Sequence, residues 1–194
     1  MRIVAGKYKN RKLITATRTI KLEAKKIRPT TEKLRAAVFN ILRNFFGDEH
    51  VSVLRDKKVL DLCCGIGSFG IEALSREASL VTFIDNYYQH LEIVKLNLEK
   101  LDCISNARVI LANAQDLGSS SEIYDLIYID PPYRLNLLNK IIESLQRGNW
   151  LNKNTLIIVE SSKKEVREKV DDKLTLIDRR EYGNSCLSFY RTPS

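Results

Sequence analysis

The chain lacks long apolar runs. No stretch of 18 consecutive apolar residues occurs in its 194 residues, so no segment reads as a membrane span. Met1-Arg2-Ile3-Val4-Ala5-Gly6-Lys7 turns charged before an apolar signal core can form, so no secretory peptide is expected and a cytoplasmic location is. Cysteine is scarce. Cys63, Cys64, Cys103 and Cys186 show no paired CxxC spacing, which speaks against a zinc site, and no metal is expected. Adjacent Cys63 and Cys64 cannot easily bridge to each other, and free thiols fit a reducing compartment, where they act as small buried hydrophobes. Low-complexity tracts and internal repeats are also missing. The remaining composition, 44% hydrophobic and 29% charged, is that of a globular protein of one domain, or one domain with a small appendage.

Positive charge is in excess, and it is uneven. Of a net +8, residues 1–35 carry 12 Lys or Arg against 2 Asp or Glu. Residues 36–194 hold the other 20 basic and 22 acidic residues, a net of −2. A basic segment beside a neutral body suggests an arm that faces a polyanion, although charge alone fits a solvated basic terminus equally well. Residues 1–30 read as this arm and residues 31–194 as the main domain. Within the arm, Arg2–Ala5 and Arg11–Thr15 are short strand candidates around the loop Gly6-Lys7-Tyr8-Lys9-Asn10, which predicts a basic hairpin.

Thr31 reads as the cap of a helix from about Glu32 to Phe46 that Gly47 stops. From Lys57 the chain alternates. Strands are expected at Lys58–Leu62, Leu80–Ile84, Arg108–Leu111, Ile123–Ile129 and Thr155–Val159. Helices are expected at about Ser68–Arg76, Tyr88–Leu101 and Leu135–Leu145. Near-continuous apolar strands between amphipathic helices predict an α/β fold with a mostly parallel sheet covered on both faces. Leu174–Arg179 and Cys186–Tyr190, split by the turn signal Tyr182-Gly183-Asn184-Ser185, predict an antiparallel hairpin.

The first strand runs into Asp61-Leu62-Cys63-Cys64-Gly65-Ile66-Gly67-Ser68-Phe69-Gly70. Gly65, Gly67 and Gly70 have GxGxxG spacing, a pattern shared by several nucleotide folds, here in the strand-to-helix setting that lets a ligand approach the backbone. Asp61, four residues before Gly65, would repel a pyrophosphate and suits a cationic ligand such as S-adenosylmethionine. Asp85 ends the second strand, where a carboxylate can hold a ribose diol or cap the next helix. Asn113 and Ala114 follow the third strand and could read an adenine edge or form a polar loop.

Asp130-Pro131-Pro132-Tyr133 follows the apolar fourth strand. Two prolines fix the backbone and hold the flanking side chains in place. The chemistry that suits this tetrapeptide is methylation of an exocyclic base amine. The Asp130 carboxylate and Pro131 carbonyl would accept its two N–H bonds, and Tyr133 would stack on the extruded base.

These residues resemble the class I S-adenosylmethionine-dependent amino-methyltransferases. More closely, they resemble the RsmD family of bacterial 16S ribosomal RNA guanine-N2 methyltransferases. Arg2-Ile3-Val4-Ala5-Gly6 with Arg11-Lys12-Leu13 is similar to that family's opening. Arg28-Pro29-Thr30-Thr31-Glu32 with Phe39-Asn40, Glu72-Ala73-Leu74-Ser75-Arg76, Val159-Glu160-Ser161 and Tyr182-Gly183 match further family segments. Cys63, Cys64 and Ile66 depart from its usual glycine loop, and Asp85 stands where Glu is common. The resemblance implies a Rossmann-like seven-stranded sheet whose last strand is antiparallel. It implies a cofactor held by the glycine loop and Asp85, with Asn113 and Ala114 near adenine and the Arg28-Pro29-Thr30 segment closing over the cofactor side. It implies a guanine of small-subunit ribosomal RNA as substrate. Arg2, Lys7, Lys9, Arg11, Lys12 and Arg28 are the expected RNA contacts. Nothing demands a dimer, so a monomer is expected. A DNA adenine-N6 methyltransferase and a non-catalytic RNA-binding assembly factor are the alternatives.

Overall fold

Strands without a polar face need cover on both sides. A computed structural model, which describes residues 1–15, 32–46, 52–131, 137–163 and 174–192, shows how this chain supplies it. After α1 (Glu32–Phe46) come β1 (Lys58–Leu62), α2 (Ser68–Ser75), β2 (Leu80–Asp85), α3 (Tyr88–Leu101), β3 (Ala107–Leu111), β4 (Leu126–Ile129), α4 (Leu137–Arg147), β5 (Leu156–Ser162), β6 (Thr175–Tyr182) and β7 (Ser185–Arg191). The seven strands form one sheet in the order β3-β2-β1-β4-β5-β7-β6. β1 to β5 are parallel to one another, whereas β7 runs antiparallel to both β5 and β6. Among the described residues no helix is long and apolar enough to cross a membrane.

The two-residue period of the strands sorts the core into two layers. Val59, Val81, Phe83, Leu126, Tyr128, Leu156 and Ile158 face α1, α2 and α3. Leu60, Leu62, Ile84, Ile127, Ile129, Ile157 and Val159 face α4 and Trp150. On the first face Phe39 of α1, Phe69 of α2 and Tyr128 of β4 stack in series, with ring centroids 5.1 and 3.9 Å apart. Such contacts contribute about 0.5–1.5 kcal/mol each beyond area burial. Ile3, Tyr8 and Leu13 belong to this same core. Residues 1–15 are therefore packed onto the body, where charge alone left open a solvated terminus.

Three expectations change. The N-terminal hairpin is reduced to a single antiparallel bridge, Arg2 to Lys12, because side chains of the body take backbone N–H groups that a longer ladder would use. The fourth strand starts at Leu126 rather than Ile123. Ile123 is exposed, and the Tyr124 N–H donates to the Trp150 carbonyl at 3.3 Å, which draws the chain off the ladder. The final hairpin is longer than expected, and Gly183 turns it with φ 59°. Thr31 and Gly47, the expected cap and stop of α1, lie outside the described residues.

Candidate active site

In open parallel sheets, ligands bind beyond the carboxyl ends of the strands, where the strand order reverses. Here β1 lies between β2 and β4, and Leu62 is in register with Ile84 on one side and Ile129 on the other. The reversal therefore brings the loop after β1, Asp85 and Asp130 to one crevice. Main-chain bonds fix it: the Cys64 N–H donates to the Ile84 carbonyl at 3.0 Å, and the Asp130 N–H donates to the Leu62 carbonyl at 3.3 Å.

The loop turns through three left-handed residues, Cys63 (φ 58°), Gly65 (φ 53°) and Gly67 (φ 76°). Cys63 is the one of these that carries a Cβ, and its left-handed backbone is not predicted by any local pattern. The glycines differ in purpose. A Cβ on Gly70 would lie 2.3 Å from the Phe83 ring, whereas a Cβ on Gly65 would meet no atom within 4 Å. Gly70 lets α2 lie close on β2. Gly65 leaves bare backbone facing open space at the mouth of the crevice.

Asp61 and Asp85 brace this loop. Asp61 Oδ2 accepts the Gly70 N–H at 2.8 Å. Its carboxyl is only 2% exposed, and burial, with a further contribution from Asp85, pushes it up to about 8 against the Gly70 hydrogen bond. Asp61 thus lies beneath the loop, bonded to its last glycine. Asp85 Oδ2 accepts the Gly65 N–H at 2.8 Å, and its Oδ1 accepts the Tyr87 N–H at 2.9 Å. His90 Nδ1 lies 3.2 Å from the same Oδ1. Sequence reasoning missed His90, although its place five residues after Asp85, one turn into α3, was the available signal. Asp85 thus orders the loop and the entry to α3 together.

Burial first, then Asp85, Asp130 and Asp61, push the Cys63 thiol up. The carboxyl groups of these three residues thus lie around one loop. Asn113 is exposed, and its Oδ1 accepts the Gln115 N–H at 3.0 Å while Ala114 is buried. This turn follows Leu111, which pairs with Asp85 across β2 and β3. Asp130 and Pro131 are both half-buried. Pro132, Tyr133, Thr30 and Arg28 lie outside the described residues. Arg2, Lys7, Lys9, Arg11 and Lys12 are all exposed, but the turn that carries Lys7 and Lys9 is attached to the last residue of α2, away from Asp130.

The family described as Conserved hypothetical protein 95 matches residues 1–191. Ribosomal RNA small subunit methyltransferase D of Buchnera aphidicola subsp. Baizongia pistaciae is 35% identical over 161 residues, covering 82% of this chain and 75% of its own. The protein of that name from Escherichia coli K12 is 33% identical over 162 residues, covering 83% and 74%. A solved Escherichia coli structure of a candidate methyltransferase, yhhF, superposes with a TM-score of 0.79 at 28% identity, covering 100% of this chain and 98% of its own. The chain belongs to the Conserved hypothetical protein 95 family, in which these small-subunit RNA methyltransferases are its relatives.

Proposed function

We propose that the protein transfers a methyl group from S-adenosylmethionine to the exocyclic N2 amine of a guanine in the 16S RNA of the small ribosomal subunit. The observation that carries this reading is the placement of Asp130-Pro131 at the carboxyl end of β4, beside the glycine loop and Asp85. When bound, the cofactor supplies a methyl group activated by a sulfonium centre. Its cationic character suits the Asp85 and Asp130 carboxylates and can relieve the buried Asp61 carboxyl beneath the loop, and bare backbone at Gly65 suits close approach by an adenosine. Asp85 has lone pairs left for a ribose diol. Asn113 and Ala114 border adenine, and the Arg28-Pro29-Thr30 segment covers the cofactor side.

An exocyclic amine is a poor nucleophile because its lone pair is delocalised into the ring. The Asp130 carboxylate and the Pro131 carbonyl accept its two N–H bonds and favour the pyramidal form that develops in the transition state. Pro131 and Pro132 hold these acceptors rigid, and Tyr133 stacks on the extruded base. Arg2, Lys7, Lys9, Arg11 and Lys12 contact phosphate. An RNA of the small subunit places this work in the cytoplasm.

Methyl-labelled cofactor offered with small ribosomal subunits or duplex DNA tests the reading. After digestion to nucleosides, label is expected in N2-methylguanosine from the subunits. Label confined to DNA adenine would overturn it in favour of the adenine-N6 alternative.

A further inference from the structure

The run Glu72-Ala73-Leu74-Ser75-Arg76 has no place in the chemistry above, yet two of its polar side chains are almost fully buried. Glu72 is 1% exposed and Ser75 0%. Both bind the main chain of the N-terminal segment. Glu72 Oε2 accepts the Val4 N–H at 2.8 Å, and Oε1 accepts the Ala5 N–H at 2.9 Å. The Ser75 hydroxyl donates to the Ala5 carbonyl and accepts the Tyr8 N–H at 3.0 Å, while the Ser75 carbonyl accepts the Lys7 N–H at 2.7 Å. Arg35 and Arg76 complete the dock. The Arg35 guanidinium donates to the Arg2 carbonyl at 2.6 Å and lies 3.9 Å from Glu72; Arg76 lies 3.1 Å from Glu72 and caps the Phe39 ring. Gly6 (φ +83°) fits because a Cβ there would lie 1.8 Å from the Ser75 carbonyl oxygen.

These contacts fix where the basic residues are. Ser75 ends α2 and Cys103, which lies beside Lys7 and Tyr8, follows α3. Both lead into strands at their amino ends, Leu80 of β2 and Ala107 of β3. Asp85 and Asp130 are at the carboxyl ends. Five residue steps along β2 separate the two ends by roughly 17 Å. At the amino end Lys100 of α3 donates to the Lys12 carbonyl at 2.7 Å. It extends the exposed set Lys7, Lys9, Arg11 and Lys12, despite Glu99 and Asp102 nearby.

We infer that Glu72 and Ser75 are positioning residues that mount a phosphate-binding surface at the end of the sheet opposite to the chemistry, so that the RNA substrate runs the length of the α2 and α3 side. This rests on the reading under Proposed function. A short stem-loop bearing the target guanine reaches only the carboxyl end, whereas RNA in the assembled particle reaches both.

The test measures methyl transfer to the small-subunit particle and to a short stem-loop with the same target guanine. Ser75→Ala removes the hydroxyl between Ala5 and Tyr8, and Gly6→Ala drives the turn off Ser75. Lys9→Glu with Lys100→Glu changes two exposed side chains and so leaves the core untouched if the first two variants fold poorly. Each is expected to raise KM for the particle about tenfold with little change in kcat. The stem-loop should lose less than about twofold, and its salt dependence should be the shallower. Equal losses on both substrates, or no loss on the particle with the double lysine variant, overturn the inference. If the unaltered protein methylates neither RNA, the proposed function itself fails and takes the inference with it.

Discussion

Asp61 and Glu72 are both buried carboxylates attached to the same helix, and their surroundings are opposite. Asp61 lies under the start of α2 with one backbone N–H, from Gly70, and with the Asp85 carboxylate adding its repulsion. Glu72, in the middle of α2, accepts two backbone N–H groups and stands between Arg35 and Arg76. A buried charge that its own fold balances serves architecture. A buried carboxyl crowded by its own kind is what a cationic ligand can relieve. The amino end of the sheet thus holds a segment of the chain itself, whereas the carboxyl end leaves a crowded carboxyl that the proposed ligand would relieve.

The largest expected effect is at the ligand end. Asp130→Ala is expected to lower kcat by about 10²–10³, the range found for removing one stabilising group in other active sites. Cofactor affinity, measured by calorimetry, should change little, and a parallel loss of both would assign Asp130 to cofactor binding instead.

Breaking the dock comes next. Glu72→Ala leaves Arg35 and Arg76 buried without their anion and is expected to destabilise the fold by about 3–5 kcal/mol, read as a shift in the denaturation midpoint. A change below about 1 kcal/mol would show that the dock contributes little to the fold.

Within the glycine loop, Gly70→Ala is expected to cost about 1–3 kcal/mol of stability through the Phe83 ring. Gly65→Ala should cost about 1–2 kcal/mol for its left-handed backbone while weakening cofactor binding about tenfold or more. Equal effects of the two changes on binding would erase the distinction between them.

The most diagnostic effect concerns pH. An Asp61 carboxyl raised from 3.8 to about 8 keeps its proton in the folded chain where the unfolded chain has lost it. The folded state binds more protons across that window, so stability from this group is greatest below about pH 4 and falls as pH rises toward about 8. Asp61→Asn should flatten the fall in thermal midpoint between pH 5 and 8. An unchanged pH profile would place Asp61 among ordinary acids.

Much of the candidate site at the carboxyl end was legible in sequence because it is written in local patterns. The apolar strand ending at Leu62, the spacing of Gly65, Gly67 and Gly70, and the acids at strand ends are read within a few residues, and the alternation of strands and helices yields the sheet. The Leu126 start of β4 was not legible because the Tyr124-to-Trp150 bond that ends the ladder joins residues far apart in sequence. The dock was hidden for a stronger reason. Glu72 and Ser75 hold backbone atoms of residues 4–8, so no side-chain pattern in the segment advertises its partners. Asn97, which holds both the N–H and the carbonyl of Ile14, was missed in the same way. Asp61 was legible as an acid before the glycine loop, but its bond to Gly70 needed the helix to be in place.

A crystal structure of the protein with S-adenosylhomocysteine tests the contrast between the two ends most directly. The ligand is expected over Gly65, with its ribose hydroxyls within hydrogen-bond distance of Asp85 and its sulfur toward Asp130. A ligand bound elsewhere, or one that leaves Gly65 and Asp85 untouched, would contradict the account.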